Sequence, residues 1–222
     1  MFHLVRRVPR NASLLVTLIA LIVVAPIVPV ERSWFIVELL FDMILLAGVY
    51  SVGPTRHRSV FLVLTGITLA TRWGELLSGA MGLDVSALAL TVIWVCYAVS
   101  IIVVHLFQRR DVDVDAITGA VVVYLLVAVA FAMLFQLVEI TRPGAFSGLE
   151  VTAADSRSEF SNSMIYYSLV CITTMGYGDI VPTGALARPL SVLEGVFGQL
   201  YLAVMIARLV GIHSARSRQN ER

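Results

Sequence analysis

The sequence predicts an all-α membrane protein with six spans and one further apolar helix that enters the bilayer without crossing it. Three observations predict it. Of 222 residues, 59% are hydrophobic and only 14% charged, a composition outside that of soluble domains. Six apolar stretches reach the roughly 20 residues needed to cross a hydrocarbon core of about 30 Å. A further apolar run, Phe160 to Thr173, is too short to cross and lies inside an otherwise polar segment.

The charge balance narrows the function. All 16 basic residues are arginine, 15 acidic residues nearly cancel them, and the net charge is +1. A nucleic-acid binder is excluded by that balance. Cys96 and Cys171 lie in apolar stretches with no Cys or His at ligand spacing. Neither a disulfide framework nor a zinc site is supported, and both thiols are expected to be buried.

In chain order the spans run near Asn11 to Val30, Trp34 to Val52, Val60 to Gly79, Leu83 to Phe107, Ala116 to Ile140 and Arg188 to Ile212. Arg6, Arg7 and Arg10 precede the first as they would a signal peptide, but no small-residue cleavage site follows and five more spans do. It is read as a retained span. Arginines cluster on one set of ends: Arg6, Arg7 and Arg10, then Arg56 and Arg58, Arg109 and Arg110, and Arg216, Arg218 and Arg222. Only Arg32, Arg142, Arg157 and Arg188 fall on the other side, so both termini are expected in the cytoplasm. The expected organisation is residues 1–10 as a cytoplasmic N-terminus, 11–107 as a four-helix unit, 108–115 as a linker, 116–212 as a second unit and 213–222 as a cytoplasmic C-terminus. Asp115 is a candidate cap for the fifth span.

The segment from Thr141 to Ala187 then starts and ends outside. It opens on the turn formers Arg142, Pro143 and Gly144 and stays polar through Asp155 to Glu159. The apolar run that follows suits a re-entrant helix, tolerated at membrane depth where protein or a water-filled cavity covers its backbone. Ser161 is a plausible N-cap, with Phe160 and Ile165 as the hydrophobic staple. The C-terminus of this helix, its negative dipole end, points toward the middle of the membrane.

Thr173-Thr174-Met175-Gly176-Tyr177-Gly178-Asp179 comes next. For successive carbonyls to face a common axis, alternate residues must take left-handed or similar torsions, which glycine reaches at least cost. Gly176 and Gly178 supply that spacing. Met175 and Tyr177 can then pack behind the strand, and the Thr174 hydroxyl adds a further oxygen.

This run resembles the selectivity filter of the tetrameric pore-loop potassium channels, together with the helix before it and the span after it, over roughly Ala116 to Ile212. The resemblance implies that Thr174, Met175, Gly176, Tyr177 and Gly178 bind K⁺, and that Tyr166, Tyr167, Val170, Thr173 and Asp179 support them. Three departures stand out. Met175 replaces the usual Val or Ile, Tyr166 and Tyr167 replace paired tryptophans, and Val170 stands where some members carry a glutamate. Tyr166 and Tyr167 can bond Tyr177 or Asp179, and Tyr167 to Asp179 is the expected clamp. Gly198 falls at the inner-helix hinge position, where either close packing or bending accounts for a mid-helix glycine. At about 100° per residue, Gln199, Leu202, Ile206 and Val210 share the face that would line the inner cavity. Glu194 lies off that face; a hydrogen bond to a pore-helix hydroxyl or backbone group is expected, with direct cation binding as the alternative. One chain carries one filter strand, so four chains are needed to close a ring around an ion.

Four spans before a pore unit resemble the layout of voltage-gated channels of the six-span prokaryotic type. The fourth span, however, lacks the periodic arginines that move charge through the field, so ordinary voltage gating is not expected. Spans two and three carry Glu38, Asp42, Arg72 and Glu75. Counted from the external ends, Asp42 and Arg72 both lie about 10–12 Å deep, which predicts an Arg72–Asp42 pair with Glu38 as a second partner. The resulting expectation is a homotetrameric K⁺ channel in a lipid bilayer, in a bacterial plasma membrane, with no cofactor other than the permeant ion, no cytoplasmic ligand-binding domain and no enzymatic activity. A weakly selective cation channel is the alternative within the class. A secondary transporter is the alternative outside it, and would show interrupted helices in both halves.

Overall fold

The computed structural model describes residues 11–28, 30–52, 58–78, 81–108, 113–151 and 156–220, with the backbone alone for 30–34, 52, 75–78, 81–84, 209 and 212–220. Seven helices occupy these residues: α1 (Ala12–Val24), α2 (Val30–Val52), α3 (Arg58–Ser78), α4 (Met81–Gln108), α5 (Val114–Thr141), α6 (Arg157–Ile172) and α7 (Ala187–Asn220). The lone sheet among the described residues is a two-residue antiparallel pair, β1 (Phe146–Ser147) with β2 (Val181–Pro182). Among the described residues, three helices contain segments long and apolar enough to cross a membrane: Val85–Gln108, Val114–Thr141 and Ala187–Arg208. α1 is apolar but only 13 residues long.

Each helix is where its apolar run is, because in lipid a segment must satisfy its own backbone polar groups. One core runs through the first five helices. Leu14, Leu18 and Leu21 of α1, Phe41 and Leu45 of α2, Phe61 of α3, Trp94 and Ala98 of α4, and Val122 and Leu126 of α5 are all buried in it. Polar groups inside are bonded: the Trp94 indole donates to Thr65 Oγ1 at 2.8 Å. α5 is therefore the shared wall between the peripheral helices and the inner pair, α6 and α7.

The helix starts differ from expectation. α6 begins five residues before Phe160's neighbour Ser161 would have capped it: Ser156 is the N-cap and its hydroxyl accepts from Glu159 N at 3.4 Å. Ser161 is instead buried within the helix and accepts from Gln136 Nε2 at 3.3 Å. A polar first turn, Arg157-Ser158-Glu159, masked a Ser-x-x-Glu capping pattern. α5 is capped by Asp113, which accepts from Ala116 N at 2.8 Å. Asp115 accepts from the Asn11 backbone N–H at 3.3 Å and so ties the start of α1 to α5. Cys96 is exposed on α4 rather than buried, and Cys171 is half-buried; neighbours in a membrane helix bundle leave an apolar thiol free to face outward.

Candidate functional site: the loop after α6

The backbone at the C-terminus of α6 is closed off before the loop begins. Leu169 O accepts from Thr173 N at 3.2 Å, Cys171 O from Thr174 N at 2.9 Å and Val170 O from Met175 N at 3.0 Å. Ile172 O accepts from the Tyr124 hydroxyl of α5 at 2.9 Å. All four carbonyls of the last turn thus have donors, which fixes the direction in which the chain leaves the helix.

From there the torsions alternate. Thr174, Gly176 and Gly178 have φ of +57°, +59° and +80°, while Met175 and Tyr177 between them are not in that region. Glycine reaches it at no steric cost. Thr174 is the only non-glycine residue with positive φ among those described, a feature that nothing in its side chain announces. The side chains of Met175 and Tyr177 are exposed in the single chain, and Tyr177 stacks on Tyr166 with centroids 6.4 Å apart.

Beyond the glycines, Asp179 is held at both oxygens. Tyr166 donates to Oδ2 at 2.6 Å and Ile180 N to Oδ1 at 3.0 Å. The Tyr166 hydrogen bond holds the carboxyl below its ordinary value of 3.8. The expected Tyr167 clamp is not formed. Tyr167 turns to the other side of α6, where its hydroxyl meets Ser191 Oγ of α7 at 2.7 Å and its ring packs edge-on against Phe135 and Phe146. Adjacent residues on a helix point about 100° apart, so only one of the two tyrosines can face the loop. Val170 is buried behind it. The β1–β2 pair is braced at both strands: Glu139 accepts from Gly144 N and Phe146 N at β1, and Arg188 Nε donates to Pro182 O of β2.

α7 meets α6 through Glu194 and Gly198, and α5 through Tyr201 and Met205. A Cβ at Gly198 would collide with Ile172 O and come within 2.9 Å of Ile172 Cγ1, so close packing accounts for the glycine. Glu194 is fully buried and accepts from Ser168; Ser168 also lies 2.6 Å from Ala128 O. Tyr201 donates to Ala120 O at 2.7 Å. Gln199, Leu202, Ile206 and Val210 all lie on exposed surface, and Gln199 Nε2 donates to Thr174 Oγ1 at 3.2 Å. Much of α7 is uncovered in the single chain among the residues whose side chains are described: Val192, Leu193, Leu200 and Ile206 are each more than half exposed.

In the peripheral helices Arg72 pairs with Glu38 and its guanidinium lies over the Phe41 ring, 4.9 Å from the centroid. This corrects the expected Arg72–Asp42 pair. Asp42 accepts from the Trp73 indole at 3.1 Å. The side chain of Glu75 lies outside the described residues. No group of three or more metal-ligating side chains occurs among the described residues.

Residues 118–213 match the family model described as Ion channel. That stretch covers α5 almost entirely, α6, the loop and the apolar length of α7. Two relatives are similar over 107 and 80 residues. Protein LctB of Bacillus caldotenax is 25% identical over 107 residues, which is 48% of this chain and 79% of that protein. Protein LctB of Geobacillus stearothermophilus is 28% identical over 80 residues, 36% of this chain and 59% of that protein. No solved structure matches. Residues 118–213 are thus similar to an ion-channel domain, and its two long helices, α5 and α7, are among those apolar and long enough to cross a membrane.

Proposed function

We propose that the protein is a K⁺-selective channel assembled from four copies of this chain, each crossing the membrane six times with both termini in the cytoplasm. The observation that carries the reading is the alternation of positive φ at Thr174, Gly176 and Gly178 directly after α6, a helix of 16 residues. Alternating hands turn consecutive carbonyls to the same side of the strand, and a set of such strands around one axis replaces the hydration shell of a dehydrated cation. A single strand cannot enclose an ion, and its carbonyls would be left without partners at membrane depth. Four strands make a ring, and a homomeric ring is the simplest closed symmetry that supplies them.

Two further features fit. The apolar surface of α7, uncovered in one chain, gains cover when copies pack around the axis. Asp179, tied to Tyr166, places a negative charge at the outer mouth, where it raises the local concentration of cations. K⁺ and Na⁺ differ in how well a fixed set of carbonyls substitutes for their water, so the Gly176-Tyr177-Gly178 run favours K⁺. Transport is passive. The peripheral helices hold a fixed Arg72–Glu38 pair rather than a row of sensor arginines, so they support the pore rather than drive it by voltage.

Purified protein in vesicles loaded with KCl and diluted into NaCl tests this. K⁺ should leave and the interior should become negative. Vesicles loaded with NaCl and diluted into an impermeant cation should hold their Na⁺; equal release of both ions would support a weakly selective cation channel instead.

A further inference from the structure

Gly198 brings α7 so close to the end of α6 that its next residue, Gln199, reaches the loop. There Gln199 Nε2 donates to Thr174 Oγ1. The rest of that face of α7, Leu202, Ile206 and Val210, is apolar. Gln199 is therefore the one polar side chain of the four residues expected to line the inner cavity, and it sits at the end nearest the filter. Its amide oxygen has no hydrogen-bond partner among the described residues, and the side chain lies on exposed surface.

Resting on the four-chain filter reading, we propose that the Gln199 amides form a cation-binding ring just inside the filter, which takes a partly hydrated, K⁺-sized cation. Each amide has two roles. Nε2 occupies one lone pair of the Thr174 hydroxyl oxygen and fixes its orientation, so that the other lone pair stays available to an ion at the inner end of the filter. The amide oxygen stands in for one water of the ion's shell as the ion arrives from the cavity. An uncharged ring of this kind binds a monovalent cation weakly enough to release it, which conduction requires. Thr174 also carries the strained positive φ that begins the alternation, so a side chain that fixes its hydroxyl acts where the backbone is least favourable.

The test is block of K⁺ current by Ba²⁺ added to the cytoplasmic side of the full-length protein in planar bilayers. Ba²⁺ has a radius near that of K⁺ and twice its charge, so it reports on oxygen ligands at the inner end. Gln199→Met keeps the length and removes the amide; it should raise the half-blocking concentration about tenfold. Gln199→Glu keeps an oxygen and adds charge; it should lower that concentration by about tenfold or more. The Glu variant gives the answer by itself if the Met variant does not assemble. Equal Ba²⁺ sensitivity in wild type and variants, with a K⁺-selective wild type, refutes the ring and leaves the filter standing. A wild type without K⁺-selective current refutes the filter reading and the ring together.

Discussion

The backbone of Gly198 rests against the carbonyl of Ile172, the last residue of α6, with no room for a Cβ between them. This contact sets the distance between α7 and the loop, and so the position of Gln199 beside Thr174. Gly198→Ala separates two accounts of the glycine. Helix propensity alone predicts a gain of about 1 kcal/mol from alanine. The close contact predicts a loss of about 1–3 kcal/mol, because α7 must shift off α6. Thermal unfolding in detergent, followed by retention of the assembled species on size exclusion, reads the sign.

Tyr166→Phe removes the hydroxyl that holds Asp179. The carboxyl is depressed below 3.8 by that bond, so the stabilisation it provides is complete above the unfolded value and fades as pH falls through the lower folded value. The difference in thermal stability between wild type and Tyr166→Phe should be constant from about pH 7 to pH 5 and shrink progressively as the pH falls below the ordinary carboxylate value of 3.8. Tyr167→Phe, which loses a contact with Ser191 instead, should show no such pH dependence in this range.

Arg72→Gln removes the ion-pair partner of Glu38 and leaves it facing Arg157 of α6 across the same cavity. Breaking a buried pair from one side costs about 3–5 kcal/mol, and Glu38 is a quarter exposed, so the lower end applies. Glu38→Gln together with Arg72→Gln should recover much of the loss. A double-mutant cycle on thermal stability measures the coupling, which should be at least about 1 kcal/mol; Asp42→Asn in place of Glu38→Gln should rescue less.

Glu194→Gln should assemble with filter selectivity intact, whereas Glu194→Leu should lose stability. One Ser168 hydroxyl proton cannot serve both Ala128 O and Glu194. A group at 194 that can itself donate to Ser168 completes the network, and the glutamine amide does so. Leucine leaves the pocket without that partner, at a cost of about 1–3 kcal/mol. Thermal stability of the two variants, with reversal potentials as a control, distinguishes them.

The helices and the loop between α6 and α7 were legible because apolar length and glycine spacing are properties of one segment at a time. Pairings between segments were not. Depths counted from Trp34 matched Asp42 to Arg72, but α2 begins at Val30 and α3 ends at Ser78. From those ends Glu38 lies about 12 Å deep, Arg72 about 9 Å and Asp42 about 18 Å, which makes Glu38 the neighbour at the right level. The choice of Tyr166 over Tyr167 depends on the rotation of α6 about its axis, which a nearly uniform apolar surface does not specify. The true start of α6 was legible in the Ser156-x-x-Glu159 pattern. The positive φ of Thr174 was not, since threonine does not ordinarily mark it.

The most direct test of the central claim is the reversal potential of single-protein currents in a planar bilayer with KCl on one side and NaCl on the other. A K⁺-selective ring of four filter strands predicts a value close to the K⁺ equilibrium potential that shifts with the K⁺ gradient. A reversal near the Na⁺ potential, or one that ignores the K⁺ gradient, contradicts it.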